Sequence, residues 1–325
     1  MRYLQIFFLL CISFFGSHAA AEENYPARPV KIIVPFPPGG TIDVVMRPLG
    51  NAMALQIGQP IIIDNRAGAN GLIGTAAVAK SAPDGYTLLA VTASFALNPS
   101  MYSKLDYDAI KDFAPVTAIM QGAGFAVIAH PSVPASNMKE LVALGRKSGV
   151  PLAYSSPGVG NTIHIASELF NQHAGTNFMH VPYKGSAPSL SAVLAGEVQL
   201  AIMPPGIVMP HIKSGKLKVL GFTGRSRLPE LPDVPTMAES GVGNFVFEGT
   251  WIGLFAPAGT PKPIVNRLQA EVRNALAQPA VREAIRRNAT GYLADGGSPE
   301  EFGKQVRDDV VRYADILRKL DIKPE

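Results

Sequence analysis

Short β-branched apolar runs alternate with helical patterns along almost the whole chain, and this alternation calls for helices layered on mostly parallel sheets. Val30–Val34 reads as the first strand, and Ile42, Val45, Leu49 and Met53 share one face of a following helix. Pro48 sits inside that helix and should kink or split it. Strands at 61–63 and 87–91 follow, with a helix at about 72–80 between them. A second series places strands at 116–120, 125–129, 152–155, 179–181, 200–202 and 219–223. Its helices are at about 137–147, 163–173, 189–195 and 208–214. A proline-rich stretch, 228–235, ends this series, and 251–256 is a late return strand. Helices at 263–277 and 280–288 precede a last one whose start is written in its residues: Ser298 as N-cap, Pro299 at the first position, Glu301 closing a capping box. Phe302, Val306, Val310 and Leu317 form its apolar stripe.

Two strand-helix series closed by a return strand imply an α/β protein of two lobes, each a mostly parallel sheet flanked by helices. Residues 22–120 with 246–325 would form one lobe and 121–245 the other, with hinge crossings near 115–125 and 245–256. A ligand would then sit between the lobes, outside the carboxyl ends of the strands.

Residues 1–21 read as an export signal: Arg2, an almost unbroken apolar run of a dozen residues from Leu4 to Phe15, then small residues around Ala19. That run is short for a membrane span, and Glu22-Glu23-Asn24 follows it. The single cysteine, Cys11, lies inside the signal after Leu9-Leu10, where a lipoprotein would need small residues. The mature chain therefore offers no disulfide, thiol nucleophile or Cys-based metal site, which suits a bacterial periplasm. Loss of Arg2 lowers the formal charge from +4 to +3, and Arg286-Arg287 is the densest basic pair, so nucleic acid is not an expected partner.

Two turns carry the candidate chemistry. The first strand runs into Pro35-Phe36-Pro37-Pro38-Gly39-Gly40-Thr41 before a helix, where glycines let a ligand approach and unpaired N–H groups favour an anion. Thr41 can cap the helix or offer its hydroxyl, and Asp43 should stabilise the first turn and orient the loop. The second turn, Ser155-Ser156-Pro157-Gly158-Val159-Gly160-Asn161-Thr162, has the same strand-to-helix setting in the other lobe. Opposed donor loops can clamp a carboxylate without a buried arginine. The stretch Gly68 to Gly74 lacks dinucleotide spacing and reads as a turn and helix start. Trp251 reads as hinge core, and Lys184 as an exposed loop residue that could also attract an anion.

Enzyme signatures are missing. There is no G-x-S-x-G elbow and no H-E-x-x-H, and His130, His164, His173, His180 and His211 lack metal-ligand spacing. The competing enzyme reading is a secreted α/β hydrolase or transferase using His164 with Ser156 or Ser94. A scaffold without a cleft ligand is the third class. No cofactor or metal is expected.

Several motifs, in order, resemble the tripartite tricarboxylate transporter substrate-binding proteins, also called the Bug family. They are Tyr25-Pro26 with the first strand and its Pro-Gly-Gly turn, Asp64-Asn65-Arg66-Ala67-Gly68, Pro83-Asp84-Gly85-Tyr86, Pro182-Tyr183-Lys184-Gly185, Leu231-Pro232-Asp233-Val234-Pro235 and Phe255-Ala256-Pro257-Ala258-Gly259. The resemblance spans the mature chain. It implies a periplasmic "Venus flytrap" binding protein of type II-like layout that closes on a small organic acid. The implied ligand contacts are Phe36, Pro38, Gly39, Gly40, Thr41, Thr92, Ser94, Ser156, Gly158, Gly160, Asn161, Thr162 and His164. Implied partners are two integral-membrane transporter subunits, or alternatively a sensor kinase, served by a monomer. Two positions depart from the pattern: Ala67 replaces a usual proline, and Met203-Pro204-Pro205-Gly206 lacks a polar residue common at the cleft rim, which would admit a less polar acid.

Overall fold

The computed structural model describes residues 25–147, 152–248, 250–288 and 292–324, so the expected leader lies outside the described residues. The first sheet contains β1 (Val30–Val34), β2 (Ile61–Asn65), β3 (Thr87–Thr92), β4 (Phe113–Gln121), β10 (Trp251–Pro257) and β11 (Tyr292–Leu293), in the order β11-β4-β10-β3-β1-β2. The second contains β5 (Ala126–Ala129), β6 (Ala153–Ser156), β7 (Met179–Pro182), β8 (Leu200–Met203) and β9 (Lys218–Phe222), in the order β7-β6-β8-β5-β9.

Both sheets are mixed. In the first, β1 runs parallel to β2 and β3, while β10 opposes β3 and β4, and β11 opposes β4. In the second, β6 is parallel to β7 and β8, and β5 opposes β8 and β9. Strands β5 and β10 are the ones that enter a sheet directly from the other half of the molecule. Without them, and without the two-residue edge strand β11, the two sheets share one order: second, first, third, fourth. Each thus has a switch point beside its first strand, where connections leave in opposite directions and a crevice opens.

Ten helices are described: α1 (Thr41–Ile57), α2 (Leu72–Ala79), α3 (Ser94–Met101), α4 (Met138–Gly145), α5 (Thr162–Ala174), α6 (Ser186–Leu194), α7 (Pro205–Lys213), α8 (Lys262–Ala277), α9 (Pro279–Asn288) and α10 (Pro299–Lys319). Helix α1 runs unbroken through Pro48, so of the expected kink or split the split does not occur. Its apolar face, with Ile42, Val45, Met46, Leu49 and Met53 buried, gains more from packing than one missing backbone bond loses. Helix α3 was not anticipated. Ser94, Phe95, Ala96, Leu97, Asn98 and Met101 are all buried, so the segment has no polar face to give it a helical period.

Helix α10 begins with the anticipated capping box at Ser298 and Glu301. It packs Phe302, Val306, Tyr313 and Leu317 on the first sheet, with Val310 half-buried. The Trp251 indole Nε1–H donates to Asp309 Oδ2 at 2.7 Å and its ring meets Phe302 edge-on, which places the residue in the core.

The two crossings between the sheets run against each other. Gly122 N–H donates to Thr250 O at 2.6 Å, and Phe125 N–H to Thr223 Oγ1 at 2.8 Å. At Gly124, φ is +129° and a Cβ would lie 2.5 Å from Gly224 N, so the crossings approach too closely for any side chain there.

Candidate functional site

The carboxyl ends of β1, β3, β6 and β8 point toward the gap between the sheets, and the following helices begin at its walls. A narrow chamber that opens in part to solvent lies there. From the first half it is lined by Phe36, Pro37, Gly40, Thr41, Asp43 and Thr92; from the second by Pro157, Asn161, Thr162, Ser186, Ala187 and Pro204; and from the crossings by Met120, Gly122, Gly124, Phe125, Thr250 and Ile252. A wider outer groove, bordered by Asn70, Tyr102, Gly158, Tyr183 and Lys184, meets it at Phe36, Pro37 and Pro157.

The first turn is held by a network that leaves its helix start open. Asp43 Oδ2 accepts from Gly39 N–H at 3.0 Å and from Arg47 Nε at 3.0 Å, and Asp43 Oδ1 accepts from Arg47 Nη2 at 2.8 Å. Arg47 also donates to Asn65 Oδ1, whose Nδ2 donates to Phe36 O at 3.0 Å. Burial alone would raise the Asp43 carboxyl, but the bonds from Arg47, Gly39 and Asn65 hold it below the ordinary carboxylate range. Asp43 thus orients the loop as its place in the first turn suggests.

Of the two roles open to Thr41, capping the helix or offering its hydroxyl, the cap is not made. Gly40 is the N-cap, with φ −79° and ψ 172°, and no side chain caps the helix. The Thr41 Oγ1 is instead the one buried side-chain polar atom among the described residues that lacks a hydrogen-bond partner. Helices α6 and α7 start likewise without side-chain caps at Gly185 and Pro204. On α5, Asn161 Oδ1 accepts from Ile163 N–H at 3.0 Å. Four helix starts therefore face one chamber, three of them uncapped, each adding partial positive charge. Among the described residues, no lysine, arginine or histidine lines it.

The halves touch around this chamber. Thr162 N–H donates to Ser94 Oγ at 3.3 Å, Tyr102 OH to Val159 O at 3.2 Å, and Asn161 Nδ2 lies 3.5 Å from Asn70 Oδ1. Pro37 abuts Gly185, whose φ is +118°; a Cβ there would come within 2.9 Å of the proline ring.

Of the residues singled out in the sequence, Phe36, Gly40, Thr41, Thr92, Asn161 and Thr162 line the chamber. Gly158 borders the outer groove, and Ser94 a small recess behind the first turn. Pro38 and Gly39 are exposed on the rim and do not line the chamber, because the turn points them outward. Ser156, Gly160 and His164 lie behind the second turn. His164 Nδ1 accepts from Gly160 N–H at 3.3 Å, so it shapes the turn and occupies that donor.

Ser156 pairs with a histidine, but not the expected one: its Oγ is 2.6 Å from His180 Nε2. His180 stacks on His164 at 4.0 Å and on Tyr154 at 5.0 Å, and the Tyr154 hydroxyl donates to Glu168. Burial pushes His164 down to about 3, with His180 adding to it, and burial pushes His180 down to about 4. Ser156 is fully buried, and neither Ser156 nor His180 reaches the chamber.

Sequence reasoning missed Ser186 and Ala187 at the start of α6, and Thr250 and Phe125 on the crossings. An uncapped Gly185-Ser186 ahead of a helical run was the available signal for the first pair. The crossing residues carry no local signal, since only tertiary pairing brings them together.

Two similarly ordered sheets, two crossings and a donor-lined gap between them define a two-lobed α/β protein of the periplasmic solute-binding class. The chain belongs to the Bug family of tripartite tricarboxylate transporter receptors: it matches the family described as "Tripartite tricarboxylate transporter family receptor" over residues 45–322. It is 35% identical over 306 residues to protein BugT of Bordetella pertussis (strain Tohama I), covering 93% of this chain and 92% of the relative. The structure of the periplasmic binding protein BugD superposes with a TM-score of 0.87 at 34% identity, covering 93% of this chain and all of that one. R. palustris Rpa4515 with adipate gives a TM-score of 0.87 at 31% identity, with coverage of 93% and 100%. Family and fold are those of solute-binding proteins.

Proposed function

We propose that this protein captures a small carboxylate between its lobes in the periplasm, after removal of residues 1–21, and delivers it to a transporter of two membrane subunits without transforming it. The unpartnered Thr41 hydroxyl at a chamber walled by uncapped helix starts carries this reading. A carboxylate supplies acceptors to such donors, and neutral N–H and O–H groups hold it without a cation. Rpa4515, similar over nearly the whole chain, was solved with adipate. The lobes are taken as 22–120 with 246–325 and 121–245, moving about the crossings. Ligand bridging of Gly40, Thr41 and Thr92 to Asn161 and Thr162 favours the closed arrangement, which the membrane partner then reads. The burial of Ser156 and His180 away from the chamber argues against a hydrolase built on that pair.

A thermal-shift screen of mature protein, stripped by unfolding and refolding, tests this against mono-, di- and tricarboxylates, aromatic acids and amino acids. A ligand at 100 times its Kd adds about 2.7 kcal/mol, so a true one raises the midpoint clearly. Gly40→Leu abolishes the rise: the backbone there suits any residue, and the side chain enters the chamber. A rise that survives Gly40→Leu would reject the chamber as the site.

A further inference from the structure

Helix α3 is a fixed part of the first lobe. Phe95 sets its start in the core, with ring centroids 4.8 Å from Phe255 and 5.1 Å from Phe113, and helix α10 packs against it. Both of its ends nevertheless reach one short segment of the other lobe. At the start, Ser94 Oγ accepts from Thr162 N–H at 3.3 Å. At the end, the Tyr102 hydroxyl donates to Val159 O at 3.2 Å, and Met101 fills the space where Gly160 has no side chain. A Cβ on Gly160 would lie 3.0 Å from Met101 Cγ, 3.2 Å from Cε and 3.3 Å from Cβ. Between the ends, Asn98 Oδ1 accepts from Asn70 Nδ2 at 3.4 Å, and Asn70 Oδ1 stands 3.5 Å from Asn161 Nδ2. Residues 159–162 are therefore met one after another by α3 and its C-cap, Asn161 through Asn70.

These contacts bear on the site because Asn161 and Thr162 line the chamber. Gly160 holds φ +69°, and from its own lobe His164 Nδ1 accepts its N–H at 3.3 Å, so the turn is pinned there from both lobes. At the start of α5, Ser94 takes the Thr162 N–H and Asn161 the Ile163 N–H. A hydroxyl of one lobe thus helps cap a helix of the other.

Resting on the carboxylate reading above, we infer that α3 is the element with which the first lobe sets the second-lobe wall of the chamber, and that Met101, seated on Gly160, is its positioning residue. Docking of α3 and ordering of Asn161 and Thr162 for an acid are one equilibrium. The acid favours the docked turn, and a turn already docked costs less to order on binding. With the Thr162 and Ile163 amides taken, the head group falls to the uncapped starts of α1, α6 and α7 and to the side chains of Asn161 and Thr162.

A double-mutant cycle, read by calorimetric titration of the stripped mature protein, tests this. Adipate, citrate, benzoate and glutamate are titrated first, and the tightest of them is the probe. Met101→Ala should weaken it about fivefold or more, and so should Gly160→Ala, which crowds Met101 and strains a left-handed position. In Met101→Ala/Gly160→Ala the new methyl group takes space the methionine leaves, so the loss should fall short of the product of the single losses by about threefold or more. Lost fold stability alone, seen in thermal unfolding of the free variants, would leave the affinity of the folded protein unchanged. Single losses that simply multiply, or unchanged affinity in Met101→Ala, overturn the positioning role and leave the carboxylate site standing. If Met101→Ala does not fold, Tyr102→Phe carries the test: about a fivefold loss is expected, and unchanged affinity overturns the role of α3. Binding by none of the four acids overturns the carboxylate reading itself.

Discussion

The Thr162 amide donates to the Ser94 hydroxyl at 3.3 Å, joining the first turn of a helix in one lobe to the first turn of a helix in the other. Ser94 also accepts from Thr92 Oγ1 at 3.4 Å, so the link reaches a residue that lines the chamber. The two halves thus share a polar contact of their own beside the chamber.

Ser94→Ala removes that acceptor. A hydrogen bond of this kind contributes about 1 kcal/mol, so ligand affinity should fall roughly fivefold while the unfolding midpoint of the free protein barely moves. Calorimetry with the acid found in the screen measures the first and thermal unfolding the second. Unchanged affinity would show that this contact does not support closure.

Gly185→Val acts on the gate between the chamber and the outer groove. Its φ of +118° and the 2.9 Å approach to Pro37 leave no place for a side chain in the closed arrangement. Small-angle scattering with saturating ligand should show a larger radius of gyration than wild type, with affinity down about tenfold or more. Full compaction would mean that the lobes close without the Pro37–Gly185 contact.

Asp309→Ala strips the partner from the buried Trp251 indole, which ties helix α10 to the return strand. Leaving that N–H unsatisfied should cost about 1–3 kcal/mol by urea unfolding. Arg312→Ala serves as the control, because its half-exposed ion pair with Asp309 is worth no more than about 1 kcal/mol. Equal effects from the two variants would assign the stability to the ion pair instead.

His164 and His180 are neutral in the fold, with burial pushing them down to about 3 and about 4. The unfolded chain binds these protons near pH 6.5, so between there and about pH 3 it holds more protons than the folded one. Stability is then fully present above about pH 6.5 and lost as pH falls toward 3. The imidazole resonances of both should still report neutral rings at pH 5; titration near 6.5 would contradict the stacked, buried arrangement.

Much of this was legible in the residues. Val30–Val34 and the Ser298 capping box follow from local chemistry, and the structure places both as read. The two turns were visible because glycines and hydroxyls cluster between a strand and a helix. What the sequence could not separate was front from back. Thr41 and Asn161 face the chamber, whereas Ser156 and His164, equally polar and close by, lie behind it. That distinction depends on strand pleat and on His180, which comes from another strand. Met120, Phe125 and Ile252 escaped for the same reason: they look like core residues until two sheets bring them to one gap.

The most direct measurement is the crystal structure of the complex with the acid that gives the largest thermal shift. The carboxylate should lie in the inner chamber, within hydrogen-bonding distance of Thr41 Oγ1 and of helix-start N–H groups from both lobes. A carboxylate found in the outer groove against Lys184, with Thr41 still unpaired, would contradict the proposed site.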